Sequence, residues 1–180
     1  MKHVEVVKLL GSHISEDGNI VTDLQHHMKE RYLVVSKFYN LIRSNRVAPS
    51  KATLKVLEAC VTSSLLHNCE TFADIIPDNL EKLYHELIKV CLNVRWNTPN
   101  HLALIESGML NLQAIIQSRQ YKFYSKFIKN IEPGSPRACV FFALRGQNVK
   151  YFQYYSNLVN EFESVKALKL HQVRLVKEKI

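Results

Sequence analysis

The sequence predicts a mainly α-helical bundle with a short β-hairpin at its N-terminus. Three observations lead there. Hydrophobic residues make up 47% of the 180 and charged residues 22%, enough apolar material for a core. Five Gly and five Pro in the whole chain are too few for a turn-rich β-sandwich. From Thr22 onward the apolar residues recur at three- and four-residue steps, the spacing of one helix face.

The elements follow in order. Val4 to Leu10 is β-branched and apolar and stops at Gly11. Asp17-Gly18 is a turn signal between His13-Ile14 and Asn19-Ile20, which predicts a small extended hairpin over residues 1–20. An isolated two-stranded ribbon is marginal in water, so it must lean on the helices that follow. Thr22 is placed to cap a first helix whose apolar stripe is Leu24, Met28, Tyr32 (or Leu33), Val35, Phe38, Tyr39 and Ile42. Arg43-Ser44-Asn45-Arg46 breaks it, and Ala48-Pro49-Ser50 starts a second, with Leu54, Leu57, Cys60, Val61, Ser64 and Leu65 inward.

Asp78 and Glu81 open a third helix on a capping pattern, with Leu80, Leu83, Tyr84, Leu87, Ile88 and Cys91 as its core face. Thr98-Pro99 predicts a cap followed by proline at the first helical position, and Gly108 a C-cap. A long helix should run from about Asn111 to Asn130. Glu132-Pro133-Gly134-Ser135-Pro136 reads as a linker. Beyond it two or three further helices are expected, with a break at Gly146 and aromatic residues Tyr151, Phe152, Tyr154 and Tyr155.

Charge narrows the function classes. The net charge is +8, concentrated in residues 101–150, where seven Lys/Arg face two Asp/Glu. That suits a polyanionic partner. No apolar run approaches the length of a membrane span, and Met1-Lys2-His3-Val4-Glu5 does not open like a signal peptide. The four cysteines, Cys60, Cys69, Cys91 and Cys139, show no CxxC spacing and read as reduced thiols of an intracellular protein, cytoplasmic or nuclear.

Three ordered pieces carry a family resemblance. Lys8-Leu9-Leu10-Gly11 is similar to the primer grip of non-LTR retrotransposon reverse transcriptases, usually Lys-Tyr-Leu-Gly. Lys51-Ala52-Thr53-Leu54 and then Ser63-Ser64-Leu65-Leu66-His67-Asn68-Cys69-Glu70-Thr71-Phe72 resemble the thumb signature, with His67, Asn68 and Phe72 standing where Tyr, Gly and Trp are usual. Leu80-Glu81-Lys82-Leu83-Tyr84-His85, Thr98-Pro99 and Ile105-Glu106-Ser107-Gly108-Met109 look like the helices after the thumb. His27 occupies a position where Arg is common.

The match covers roughly residues 5–130 and implies a palm-end hairpin over 1–20, a thumb-like helical domain over 21–75 and post-thumb helices over 76–131; it leaves the rest unassigned, read from its own pattern as a helical C-terminal extension over 132–180. It implies that the chain begins downstream of the polymerase active site. The partners would be an RNA/DNA template–primer duplex and the palm and fingers of the polymerase, with no membrane. No cofactor is expected here, Mg²⁺ belonging only to the parent polymerase. The alternative is a domesticated or incidental helical protein-interaction module with no nucleic-acid role.

Phe72-Ala73-Asp74 resembles the start of the catalytic Phe/Tyr-Ala-Asp-Asp turn, but Ile75 replaces the second carboxylate, and two-metal phosphoryl transfer needs clustered carboxylates. It also follows the primer grip instead of preceding it. No residue is therefore assigned as catalytic. His67, Cys69, His85 and Cys91 match no common zinc spacing, so none is assigned to a metal.

The binding candidates are cationic. Arg119, Lys122, Lys126 and Lys129 recur at steps of 3, 4 and 3 and span about 80° of a helix. They form either a phosphate-tracking rail or a solvated face. Arg43, Ser44, Arg46, Lys51 and Lys55 flank the turn between the first two thumb-like helices, where they would reach phosphate or sugar or serve as an ordinary polar loop. Lys8, Leu10 and Gly11 complete the set through the primer-grip resemblance.

Overall fold

The computed structural model describes residues 6–9, 12–15, 20–45, 47–67, 69–71, 78–129, 135, 150–162, 164–165, 167–168, 170–171 and 174. The protein is mainly helical. Its elements are strands β1 (Val6–Leu9) and β2 (Ser12–Ser15) and helices α1 (Ile20–Ser44), α2 (Ser50–Val56), α3 (Ser63–Leu65), α4 (Asp78–Leu92), α5 (Asn100–Ser107), α6 (Leu112–Lys129) and α7 (Lys150–Glu161). A π-helical stretch, Leu57–Thr62, joins α2 to α3, and a 3₁₀ turn spans Cys69–Thr71.

The hairpin expected across Asp17-Gly18 is not supported. Ile20 already belongs to α1, and the backbone pairs Val6–Leu9 antiparallel with Ser12–Ser15, Leu9 opposite Ser12. Asp17-Gly18 lies outside the described residues, as do most of the linker expected at 132–136 and the break at Gly146.

Two compact units divide the chain. The first comprises Met1–Asn68 with Ile76–Met109, the second Cys69–Ile75 with Leu110–Ile180. These boundaries differ from the four segments read in the sequence.

In the first unit, α1 buries Val35 and Phe38. Tyr32 and Leu33, expected in its core stripe, stay 63% and 62% exposed. The helix ends where Asn45 donates its backbone N–H to Leu41 O and its side-chain amide to the same carbonyl at 3.0 Å, satisfying carbonyls that have no partner inside the helix.

The second rod corrects the sequence reading most at Cys60, with Leu54 and Ser64 only partly buried. Cys60 faces solvent, while Leu57, Val61, Thr62 and Leu65 are buried. The π-helical stretch causes this: its wider turn advances each residue by less than α geometry does. Ser63 Oγ accordingly reaches Glu58 O, five residues back, at 3.2 Å.

Helix α4 buries Leu80, Tyr84, Leu87, Ile88 and Cys91, as its periodicity predicts, and also encloses His85 and Lys89, while Leu83, expected on the same face, is only partly buried. It closes on Asn93, whose φ of 54° is left-handed. Val94 N–H bonds Lys89 O, and Asn93 N–H bonds Val90 O, each at 3.1 Å. That is the Schellman arrangement, with Asn in place of Gly. Helix α5 starts one residue later than expected, with Pro99 itself as N-cap. Gly108 ends it at φ 66°. Ser107 Oγ donates to Leu104 O at 2.9 Å and accepts Met109 N–H at 3.2 Å, relaying the bond the helix end would otherwise lack.

In the second unit, Asn111 Oδ1 accepts Ala114 N–H at 2.7 Å and so caps α6. The helix buries Leu112, Ala114, Ile116, Ser118, Gln120 and Tyr124, whereas Phe123 is 50% exposed. Leu158, Phe162 and Leu168 form a small core around α7, with Tyr121 and Tyr154 packed against it.

Candidate nucleic-acid interface

Three of the exposed cations of the first unit flank one elbow, the turn from α1 to α2. Arg43 lies in the last turn of α1 and is exposed. Lys51 and Lys55 are exposed one helical turn apart on α2. Between Glu30 and Glu58 the sequence carries Arg31, Lys37, Arg43, Arg46, Lys51 and Lys55 with no Asp or Glu. Along the chain no carboxylate interrupts this cluster; across it, Glu86 of α4 comes close enough to act on Tyr39, as Arg43 does.

Its shape is fixed locally. Ala48 N–H bonds Asn45 O at 2.9 Å, and Ala52 N–H bonds Pro49 O at 2.8 Å, so a short turn feeds directly into α2. Ser44 departs from its expected role: its hydroxyl donates to Asn40 O at 2.9 Å and is spent on the helix end, leaving only lone pairs for a ligand. Arg46 lies outside the described residues, as do Leu10 and Gly11, and for Lys8 only the backbone is described.

The α6 rail is shorter than its spacing promised. Lys122 and Lys126 are exposed. Arg119, by contrast, is half-buried and turns to Cys69, hydrogen bonding to the thiol. Burial pushes that thiol up to about 12, Glu70 adds to the shift, and Arg119 offsets only part of it. A guanidinium held this way is a core element rather than a free phosphate ligand. For Lys129 only the backbone is described.

Beside Arg119, Gln120 is wholly buried. Its Nε2 donates to Cys69 O at 3.2 Å, and its Oε1 accepts Tyr154 O–H at 3.0 Å. The amide thus ties α6 to the 3₁₀ turn and to α7. Tyr154, one of the aromatic residues noted beyond the linker, is committed to this internal bond.

Two groups at the end of α4 escaped the sequence reading. Lys89 is buried and donates from Nζ to Trp96 O at 3.0 Å. Trp96, the chain's single tryptophan, stands 87% exposed. An aromatic residue inside the polar run Arg95-Trp96-Asn97-Thr98 was the available signal. His85, one turn before Lys89, has its pKa lowered by burial, with Glu81 opposing and Lys89 reinforcing the shift.

Among the described residues no three His, Cys, Asp or Glu side chains converge as metal ligands, and no helix is long and apolar enough to cross a membrane. Comparison with protein-family models, with curated proteins and with solved structures finds no match.

Proposed function

We propose that the protein is a nucleic-acid-gripping lobe, the thumb and post-thumb part of a reverse transcriptase of the retrotransposon type. The α1–α2 elbow holds the phosphates of a template–primer duplex. The single observation that carries this reading is the elbow itself, where exposed Arg43, Lys51 and Lys55 lie in a stretch without one carboxylate. Cations so placed give sequence-independent, salt-sensitive affinity. The ordered resemblance from Lys8 to Met109 supports the same reading. Polymerisation itself would need carboxylates and Mg²⁺ from a palm, because Ile75 stands where the second carboxylate of the catalytic turn would be.

A second reading, a helical protein-interaction module, is favoured by the exposed Tyr32 and Leu33 on α1. Fluorescence anisotropy with a labelled RNA–DNA hybrid separates the two. The gripping lobe loses about 100-fold in affinity between about 50 and 200 mM salt, as about four neutralised phosphates require. Failure to bind the hybrid at low salt leaves only the second reading.

A further inference from the structure

We infer that Trp96 is a stacking platform for an unpaired nucleobase, set beside the elbow that holds the strand's phosphates. This deepens the nucleic-acid reading and rests on it.

The first ground is exposure combined with order. An indole left 87% exposed forfeits one of the largest apolar burials a side chain can make. Yet the backbone beneath it is tightly held. Asn93 closes α4 in the left-handed region, and Val94 N–H returns to Lys89 O. Arg95 O then accepts Thr98 N–H at 3.0 Å, closing a four-residue turn with Trp96 second in it, and Pro99 follows as the N-cap of α5. From inside, the buried Lys89 ammonium binds Trp96 O at 3.0 Å. A bulky ring on a pre-organised turn loses little further freedom when a flat partner settles on it.

The second ground is charge. Arg95 adjoins Trp96 and is exposed, and no Asp or Glu occurs between Glu86 and Glu106. An aromatic face flanked by a cation and free of nearby carboxylates along the chain suits a base with its attached phosphate.

The third ground is position. Thr53 Oγ1, in α2, lies 3.3 Å from Cys91 O, in the last turn of α4, while its nearer acceptor is Ser50 O at 2.8 Å. The helix carrying Lys51 and Lys55 therefore touches the helix end from which the Trp96 turn projects. Lys51 and Lys55, two residues either side of Thr53, project from the far side of α2, so the contact sets the helix that carries them, not their charges, beside the Trp96 turn. Duplex bases hide their π-faces in the stack, so the ligand is an unpaired nucleotide in a single strand or at a frayed end.

Because Trp96 is the chain's single tryptophan, its emission reports on this turn alone. The full chain is titrated with a labelled oligothymidylate, following label anisotropy and indole emission together. Stacking predicts strong quenching that saturates with the anisotropy. It predicts that Trp96→Ala weakens oligothymidylate binding about 10- to 100-fold, that Trp96→Phe retains part of the affinity, and that blunt RNA–DNA hybrid binding stays within about twofold of wild type. An unchanged urea midpoint for Trp96→Ala establishes that the fold is intact. Unaltered emission at saturating oligonucleotide overturns the inference while leaving the gripping lobe standing. So does equal single-strand affinity of Trp96→Ala, or an emission blue shift with protein concentration alone, which assigns the indole to self-association. Absence of binding to any nucleic acid removes both readings.

Discussion

The α1–α2 elbow and helix α6 look alike as sequence and are used differently. Each is rich in Lys and Arg, and each lies in a stretch free of Asp and Glu, from Arg31 to Leu57 and from Ser107 to Ile131. At the elbow, Arg43, Lys51 and Lys55 all face solvent. On α6, Arg119 is drawn to the Cys69 thiol, and its neighbour Gln120 is enclosed with both ends of its amide bonded. Helical periodicity assigns a side chain to an arc, but it says nothing of which remote segment covers that arc. Here the 3₁₀ turn Cys69–Thr71, far from α6 in sequence, supplies the cover. The same residue types therefore serve a surface in one place and cohesion in the other.

The largest stability effect should come from breaking the α6 side of this contrast. Gln120→Ala leaves Cys69 O and Tyr154 O–H without their partner and opens a cavity. It should cost about 3 kcal/mol in urea denaturation. Lys51→Glu/Lys55→Glu, on exposed positions, should shift stability by no more than about 0.5 kcal/mol. A similar cost for the two variants would erase the distinction.

Asn111→Ala should cost about 1 kcal/mol, because Ala114 N–H loses its cap. Asn111→Asp should recover that loss, since a carboxylate at a helix N-terminus also meets the positive end of the dipole. If the Ala variant unfolds at the wild-type midpoint, the cap contributes nothing.

A separate effect concerns pH. Burial raises the Cys69 thiol to about 12 and the Cys91 thiol to about 11, from 9.0. Burial likewise raises Tyr84, with Glu58 adding, and Tyr39, with Glu86 adding, both from 10.0. The unfolded chain releases these protons first, so their stabilisation is complete below about pH 9 and declines as pH climbs toward 11 to 12. His85 acts at the other end. Its folded value lies below 6.5, so its contribution is complete above that pH and is lost as pH falls. The urea midpoint should therefore drop from about pH 8 to about pH 10.5, and Cys69→Ala with Cys91→Ala should flatten that slope. A midpoint that rises over this range would contradict the burial of both thiols.

Local signals were legible where one helix decides its own fate. The core face of α4 (Leu80, Tyr84, Leu87, Ile88, Cys91) could be read from spacing alone, and Gly108 at a helix end announced a left-handed cap. Legibility failed where geometry changed without a sequence mark. The π-helical stretch turned Cys60 outward, and α1 already includes Ile20, which the sequence assigned to the hairpin. It also failed where long-range bonds decide. Nothing local says that Gln120 reaches Cys69, or that Lys89 folds inward to hold the carbonyl of Trp96. Of the cationic candidates, Arg43, Lys51, Lys55, Lys122 and Lys126 stand exposed, as their places on a helix face or beside a turn suggest. The inward turn of Arg119 and the spent hydroxyl of Ser44 were not.

The salt dependence of RNA–DNA hybrid binding, measured for wild type, Lys51→Glu/Lys55→Glu and Lys122→Glu/Lys126→Glu, bears most directly on the elbow's role. An elbow that grips phosphates predicts a log affinity–log salt slope shallower by about 2 in the α2 variant, with the α6 variant close to wild type. A wild-type affinity indifferent to salt, or a greater loss from the α6 pair than from the α2 pair, would contradict it.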